Sequence, residues 1–244
     1  MKQNKYDEQG FFEKYSQMPR STGGLKEAGE WPALRVMLPD LQDKRVLDLG
    51  CGFGWHCRYA REQGARSVVG VDLSENMLER ARELSEDSAI EYRRIAMEDI
   101  DFAEGEFEVV ISSLALHYIE DLEDVCRKIH HCLVPGGTFI LSFEHPIFTA
   151  RAAQDWYVGS EGERLHWPVD DYQSEGPRYA NFLETEVVKY HRTVATHLNS
   201  LIRAGFMITE LCEPQPAVEL LDKYEGMRDE LRRPMFLIIS AVKR

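Results

Sequence analysis

The run Asp48-Leu49-Gly50-Cys51-Gly52-Phe53-Gly54 sets a carboxylate just ahead of three alternate glycines. Glycines in such a loop let the chain turn sharply and let a ligand approach the backbone beside the amides of a helix N-terminus. Asp72 follows about twenty residues later, where a carboxylate after a second strand can take the two hydroxyls of a ribose. The glycine spacing then separates two ligand classes. A dinucleotide fingerprint, G-x-G-x-x-G, begun at Gly50 or Gly52 would put its third glycine at Trp55 or Cys57. Neither is glycine, so the close helix packing beneath a pyrophosphate is missing. A tryptophan there favours a ligand without pyrophosphate, and Asp48 suits a loop that handles a zwitterionic amino acid better than one that holds phosphates.

Proton-transfer chemistry has three histidine candidates near the strand ends, where open α/β sheets bind ligands: His117, His145 and His191. Each reads equally well as a hydrogen-bonded structural histidine. Pro146 imposes an extended conformation on His145, which would present that ring over a pocket. His130 and His131 are neighbours on a helix and point about 100° apart, so they cannot chelate one metal from one face, and no metal site is expected. The aromatic supply of Tyr15, Trp31, Trp156, Tyr157, Trp167, Tyr172 and Tyr179 can cage a cation or simply pack. Tyr15, Trp31, Tyr172 and the guanidinium of Arg192 are taken as candidate substrate contacts.

Strand and helix signals alternate in the order that gives a parallel sheet with crossover helices. Strands are predicted at 45–49, 67–71, 90–95, 107–112 and 138–143, with helices at 55–63, after Ser74, and after Asp121. Pro135-Gly136-Gly137 closes the last of these helices. Residues 145–190 show no sustained period and read as an insertion over the strand ends. Regular structure resumes with a helix at 192–204, a strand at 207–212, a polar helix at 217–231 and a final strand at 235–242. Residues 1–43 read as a helical segment that, with the insertion, covers the site as a lid; 44–244 form the main domain.

Composition narrows the partners. The formal net charge of -13, with no long basic run, argues against nucleic acid. Five cysteines without a C-x-x-C pair indicate reduced thiols rather than a disulfide framework or zinc knuckle. The start lacks an apolar signal region and no later stretch is apolar enough to span a bilayer, so the expectation is a cytoplasmic protein, monomer or homodimer, with a small-molecule substrate and no membrane.

In these motifs the chain resembles the class I S-adenosylmethionine-dependent methyltransferases, particularly the bacterial group acting on small molecules. D-x-G-x-G-x-G matches Asp48, Gly50, Gly52 and Gly54; the acid after the second strand matches Asp72; L-x-P-G-G matches Leu133, Pro135, Gly136 and Gly137. The resemblance implies a doubly wound α/β fold with a mostly parallel seven-stranded sheet and an antiparallel last strand. It implies S-adenosylmethionine as cofactor, with S-adenosylhomocysteine as product and an oxygen or nitrogen acceptor. Gly50, Cys51 and Gly52 would then bracket the methionine moiety with Asp48 nearby. Asp72 and Leu73 would lie at the ribose, Met97 and Glu98 at the adenine, and Ser113 and Leu114 at the methyl-donor pocket. One departure is Ala96, where many relatives carry Asp against the adenine; Glu98 or Asp99 are the substitutes. The chain has no Pro-Cys nucleophile, and Ser112-Ser113-Leu114-Ala115-Leu116-His117 replaces the Pro-Pro-aromatic motif of amino-directed nucleic-acid methylases. The alternatives are a nicotinamide oxidoreductase and a protein that binds S-adenosylmethionine without turnover.

Overall fold

Apolar β-rich runs entering glycine turns build the strands, and the amphipathic stretches between them build the helices. The computed structural model describes residues 2–244. Its strands are β1 (Arg45–Leu49), β2 (Ser67–Asp72), β3 (Ile90–Arg94), β4 (Phe107–Ser113), β5 (Leu133–Glu144), β6 (Tyr157–Val158), β7 (Arg164–His166), β8 (Gly176–Phe182), β9 (Thr185–His191), β10 (Phe206–Cys212) and β11 (Phe236–Lys243). The helices are α1 (Gln9–Ser16), α2 (Pro19–Gly23), α3 (Trp31–Met37), α4 (Trp55–Glu62), α5 (Glu75–Glu83), α6 (Leu122–Cys132), α7 (Pro146–Thr149), α8 (Val194–Arg203) and α9 (Val218–Leu221).

Seven strands form the main sheet in the order β10-β11-β5-β4-β1-β2-β3. Only β11 runs against its neighbours, pairing antiparallel with both β5 and β10. Both faces are covered, as a parallel sheet requires. Leu47, Leu49, Val110, Phe139 and Leu141 pack with Val125 and Ile129 of α6 and Leu201 of α8. Val46, Val68, Val109 and Ile111 pack with Cys57 and Ala60 of α4 and Leu78 of α5. Chain order reverses between β1 and β4, which opens a crevice at their carboxyl ends.

Local signals set several boundaries. The Ser74 hydroxyl accepts from the Met77 amide at 3.2 Å and the Asp121 carboxylate from the Asp124 amide at 2.9 Å, so both expected caps start their helices. β5 starts earlier than the sequence suggests: Leu133 already pairs with Phe107, and a register shift carries the strand through Pro135-Gly136-Gly137. The region 217–231 is broken rather than one helix. α9 is separated at Gly226, whose φ is +77°, from a 3-10 turn over Met227–Arg232.

The insertion is more regular than its composition implies. It contains α7, the short β6–β7 pair and the seven-residue β8–β9 hairpin. The two residues at the hairpin tip, Leu183 and Glu184, take φ of +54° and +61°. That primed-turn geometry usually announces itself with Asn-Gly, and here no such signal exists. Phe11 of α1 packs against Ala180 and Val187 of this hairpin, and the Val188 amide donates to Gln3 Oε1 at 2.7 Å. The N-terminal segment is thereby fastened to the insertion. It is also fastened to the sheet, because Asp7 accepts from the Ser74 hydroxyl at 2.5 Å and the Asn76 amide at 3.1 Å at the start of α5. Burial opposes the Asp7 charge, but these hydrogen bonds and one from Asn4 outweigh it and hold the carboxyl below its usual range.

Candidate functional site

The crevice between β1 and β4 continues into a cavity of about 260 Å³, bordered by the N-terminal segment and by Phe182 at the end of β8. The glycine loop forms its floor. Gly50 has φ +73°, and a Cβ there would stand 2.5 Å from the Ala115 side chain, so only glycine keeps the backbone open to a ligand. Gly52 donates its amide to Asp72 Oδ2 at 2.9 Å while Ser74 donates to Oδ1 at 2.9 Å. These bonds aim the Asp72 carboxylate into the cavity with lone pairs to spare. Burial pushes its pKa up, partly offset by the amides, so hydroxyl donors from a ligand would find a receptive partner.

Opposite the loop, Leu114 holds a left-handed φ of +53°, kept there by its amide bonding to the Ser142 carbonyl at 2.9 Å and hydroxyl at 3.2 Å. Non-glycine residues in that region are uncommon and concentrate at functional sites. Leu73, Ala96, Met97, Glu98 and Ser113 line the same cavity. Glu98 therefore lines the cavity, whereas Asp99 is exposed and paired with Lys2.

Asp48 and Cys51 sit behind these residues. Cys51 faces a small side pocket, and Asp48 is buried beneath the loop, where Cys57 Sγ donates to its Oδ2 at 3.2 Å and Oδ1 has no partner. Burial raises the Asp48 pKa to about 7. A cationic ligand group over the loop would meet this electrostatic demand. Trp55, at the third-glycine position, stacks against Gly24 of the N-terminal segment: a Cβ on Gly24 would lie 2.6 Å from the indole. The start of α4 is thus covered by protein where a dinucleotide would place its phosphates. A carboxylate for ribose, an open glycine backbone and an acidic underside fit a nucleoside with an amino-acid tail.

The far wall carries titratable groups. His117 lies in the 3-10 turn after β4, is 4% exposed and lines the cavity; its Nδ1 is buried without a partner. Burial lowers its pKa to about 4, so the ring is neutral and can accept a proton. Glu144, at the end of β5, lines the same wall and accepts from Lys189 Nζ at 2.6 Å and from Gln154 Nε2 at 3.2 Å. Burial pushes the Glu144 pKa up, but His117, the Lys189 ammonium and these bonds outweigh it and keep the carboxyl below its usual range. Tyr6, Tyr15 and Tyr118 add rings and hydroxyls, the Tyr6 and Tyr118 oxygens standing 3.3 Å apart. Arg20 reaches the cavity while its Nη2 donates to Glu30 at 2.8 Å. Sequence reasoning missed Glu144, Arg20, Tyr6 and Tyr118. The one available signal was a carboxylate closing β5, the pattern that marked Asp72 on β2.

Several other candidates lie outside the cavity because protein partners occupy their polar atoms. His145 caps α7 through Nδ1, which accepts from the Ile147 amide at 3.1 Å, and its Nε2 meets Glu213 at 2.9 Å. His191 spans Thr149 Oγ1 at 2.8 Å and the Tyr172 carbonyl at 2.9 Å. The Tyr172 hydroxyl accepts from the Val194 amide at 3.1 Å. Arg192 is 8% exposed and donates to the carbonyls of Ile119 and Glu120, clamping the end of β9 to the loop after β4. Trp31 packs in the core edge-on to Tyr59 at 4.6 Å. Of the aromatic supply, Trp156 and Trp167, with Phe148, surround a cation of the protein itself: the Arg233 guanidinium lies 3.9 Å from the Trp167 centroid, 4.8 Å from Phe148 and 5.5 Å from Trp156.

The sheet order and the switch-point crevice define a Rossmann-like α/β fold, with Asp72 lining the crevice. A family model described as a methyltransferase domain matches residues 47–141. The chain is 52% identical to a putative S-adenosylmethionine dependent methyltransferase from Listeria monocytogenes, whose crystal structure superposes with a TM-score of 0.85 over 91% of this chain and 99% of that one. An S-adenosylmethionine dependent methyltransferase from Mesorhizobium loti gives 48% identity and a TM-score of 0.84 over 90% and 100%. An uncharacterized protein of Haemophilus influenzae is 36% identical over 98% of this chain and 96% of its own length. The chain belongs to the S-adenosylmethionine-dependent methyltransferases. It is an enzyme of that class, with S-adenosylmethionine as cofactor, and the nicotinamide alternative falls away. No helix among the described residues is long and apolar enough to cross a membrane.

Proposed function

We propose that the enzyme methylates an oxygen or nitrogen of a small molecule held in this cavity, and that His117 takes the acceptor's proton. The observation that carries this reading is the His117 ring lining the cavity that holds Asp72 and the glycine loop, with its Nδ1 buried and without a hydrogen-bond partner among the described residues. The bound cofactor supplies an electrophilic methyl on a sulfonium, transferred by in-line displacement to leave S-adenosylhomocysteine. The protein's part is alignment, exclusion of water and the proton. Asp72 and Gly50–Gly52 hold the nucleoside and the amino-acid tail, and Met97 and Glu98 lie at the base. Ser113, Leu114 and Tyr15 border the reacting centre. His117 accepts the proton on its imidazole ring, and the ionised Glu144 nearby stabilises the imidazolium. Residues 1–43 and 145–190 act together as a lid, joined by Phe11 and Gln3 to β8 and β9. A compact acceptor rather than nucleic acid, a monomer or homodimer and a cytoplasmic setting complete the reading, the first supported by the charge of -13.

The test starts from an acceptor found by incubating a metabolite extract with labelled methyl donor. His117→Gln should then lower kcat by roughly 10² to 10⁴, the usual contribution of a positioned acid–base group. Binding of S-adenosylhomocysteine should stay within about threefold, a change well under 1 kcal/mol. Unchanged kcat in this variant removes His117 from the chemistry.

A further inference from the structure

A second cavity of about 580 Å³ lies beside the first, and Met18, Arg20, Met235 and Phe236 border both. Its walls come from the N-terminal segment, the insertion and the region after β10: Trp156, Trp167, Tyr224, Met227 and Pro216 contribute ring and apolar surface. No step derived so far uses it. We propose that this cavity is the distal subsite of the methyl acceptor and that it takes an uncharged, ring-bearing body, whose hydroxyl or N–H reaches past Met18 and Phe236 to His117. The inference rests on the function proposed above.

Two observations carry it. The first is continuity. A cavity near 260 Å³ falls just below the usual range for small-ligand sites, about 300 to 1,000 Å³, so a nucleoside cofactor claims most of it. An acceptor larger than a few atoms must extend elsewhere, and the adjoining space shares four wall residues with the reaction centre.

The second is charge. Apart from Glu225 at the rim, the ions on the wall of the second cavity are matched within the protein. Arg20 pairs with Glu30 at 2.8 Å, Arg233 with Glu230 at 2.8 Å, Arg164 with Asp229 at 2.9 Å and Glu27 with Lys223 at 2.5 Å. The aromatic cage that would attract a cationic ligand holds the Arg233 guanidinium instead. Within the cavity a charged acceptor body would lose its hydration and find the ions away from the rim already paired, which is costly. Glu225, exposed at the rim, further disfavours an anion. A neutral ring system stacks on the tryptophans and meets no such cost.

Three naphthalene isosteres test this directly: neutral 2-naphthol, anionic 2-naphthalenesulfonate and cationic 2-naphthylmethylammonium. Each is titrated against the full chain saturated with S-adenosylhomocysteine, with indole fluorescence as the readout. The expected result is that 2-naphthol binds at least tenfold more tightly than either charged isostere. Met227→Trp, which fills the second cavity with apolar bulk, should weaken 2-naphthol at least tenfold while calorimetric binding of S-adenosylhomocysteine stays within twofold. Equal binding of the three isosteres, no binding of 2-naphthol, or 2-naphthol affinity unchanged in Met227→Trp overturns the proposal while leaving the cofactor site intact. Failure of the wild-type chain to bind S-adenosylhomocysteine overturns the parent reading, and this one with it.

Discussion

Replacing His117 by glutamine should change how stability depends on pH as well as catalysis, and the size of that change follows from burial. The ring is 4% exposed, and its pKa falls from 6.5 to about 4 because burial penalises the imidazolium. A histidine whose folded pKa lies below its unfolded value takes up protons on unfolding, so it withdraws stability as pH drops below 6.5, and the loss is complete near the folded value. That separation corresponds to about 3 kcal/mol in full and about 2 kcal/mol already at pH 5. His56, also fully buried with a pKa near 4, adds a slope of the same sign. Asp48 opposes it. Its folded pKa is raised by burial to about 7, so it withdraws stability as pH rises through the interval between the usual carboxylate value and 7. Comparing wild type with His117→Gln cancels these common contributions. Urea unfolding at pH 5, 6, 7 and 8, without cofactor, should show the wild-type stability falling relative to the variant by about 1.4 kcal/mol per pH unit below pH 6.5. A constant difference across that range would mean that the His117 ring is hydrated, and the basis for its role as a neutral proton acceptor would fail.

Asp72→Ala should weaken S-adenosylhomocysteine by about 1 to 3 kcal/mol, the scale of charge-assisted hydrogen bonds to buried hydroxyls, and calorimetry showing unchanged affinity would detach β2 from the ribose. His145→Ala and His191→Ala should cost about 1 to 3 kcal/mol each in urea unfolding by orphaning the Ile147 amide and the Thr149 hydroxyl, while S-adenosylhomocysteine affinity holds. A loss of turnover in either variant without loss of stability would return that ring to the chemistry. Saturating cofactor should slow hydrogen exchange over residues 2–20 and 176–191 together, with the central strands changing little. Protection of one segment without the other would break the link through Phe11 and Gln3.

Features set by neighbours in sequence were readable in advance. The glycine loop, Asp72 and the Ser74 and Asp121 caps depend on a few adjacent residues and on backbone geometry, and each stands where its pattern indicates. The β8–β9 hairpin escaped because its tip is Leu183-Glu184, two residues that rarely accept positive φ and are held there by the strands they join. Sequence favoured His145, through Pro146, and His191 over His117, whereas what separates the three is tertiary. Thr149 and the Tyr172 carbonyl satisfy His191, the Ile147 amide and Glu213 satisfy His145, and nothing among the described residues satisfies Nδ1 of His117. Arg20 and Tyr6 were invisible for the same reason: a segment with no strand pattern folds back over the crevice and brings them to it.

The most direct measurement follows the methyl group. S-adenosylmethionine labelled at the methyl carbon is incubated with the enzyme and a fractionated cell extract, and the label is traced into small-molecule, protein and nucleic-acid fractions alongside formation of S-adenosylhomocysteine. The expected result is label in a small-molecule product in step with S-adenosylhomocysteine, abolished by Asp72→Ala and strongly reduced by His117→Gln. Label confined to protein or nucleic acid, or a small-molecule product formed equally well by His117→Gln, would contradict it.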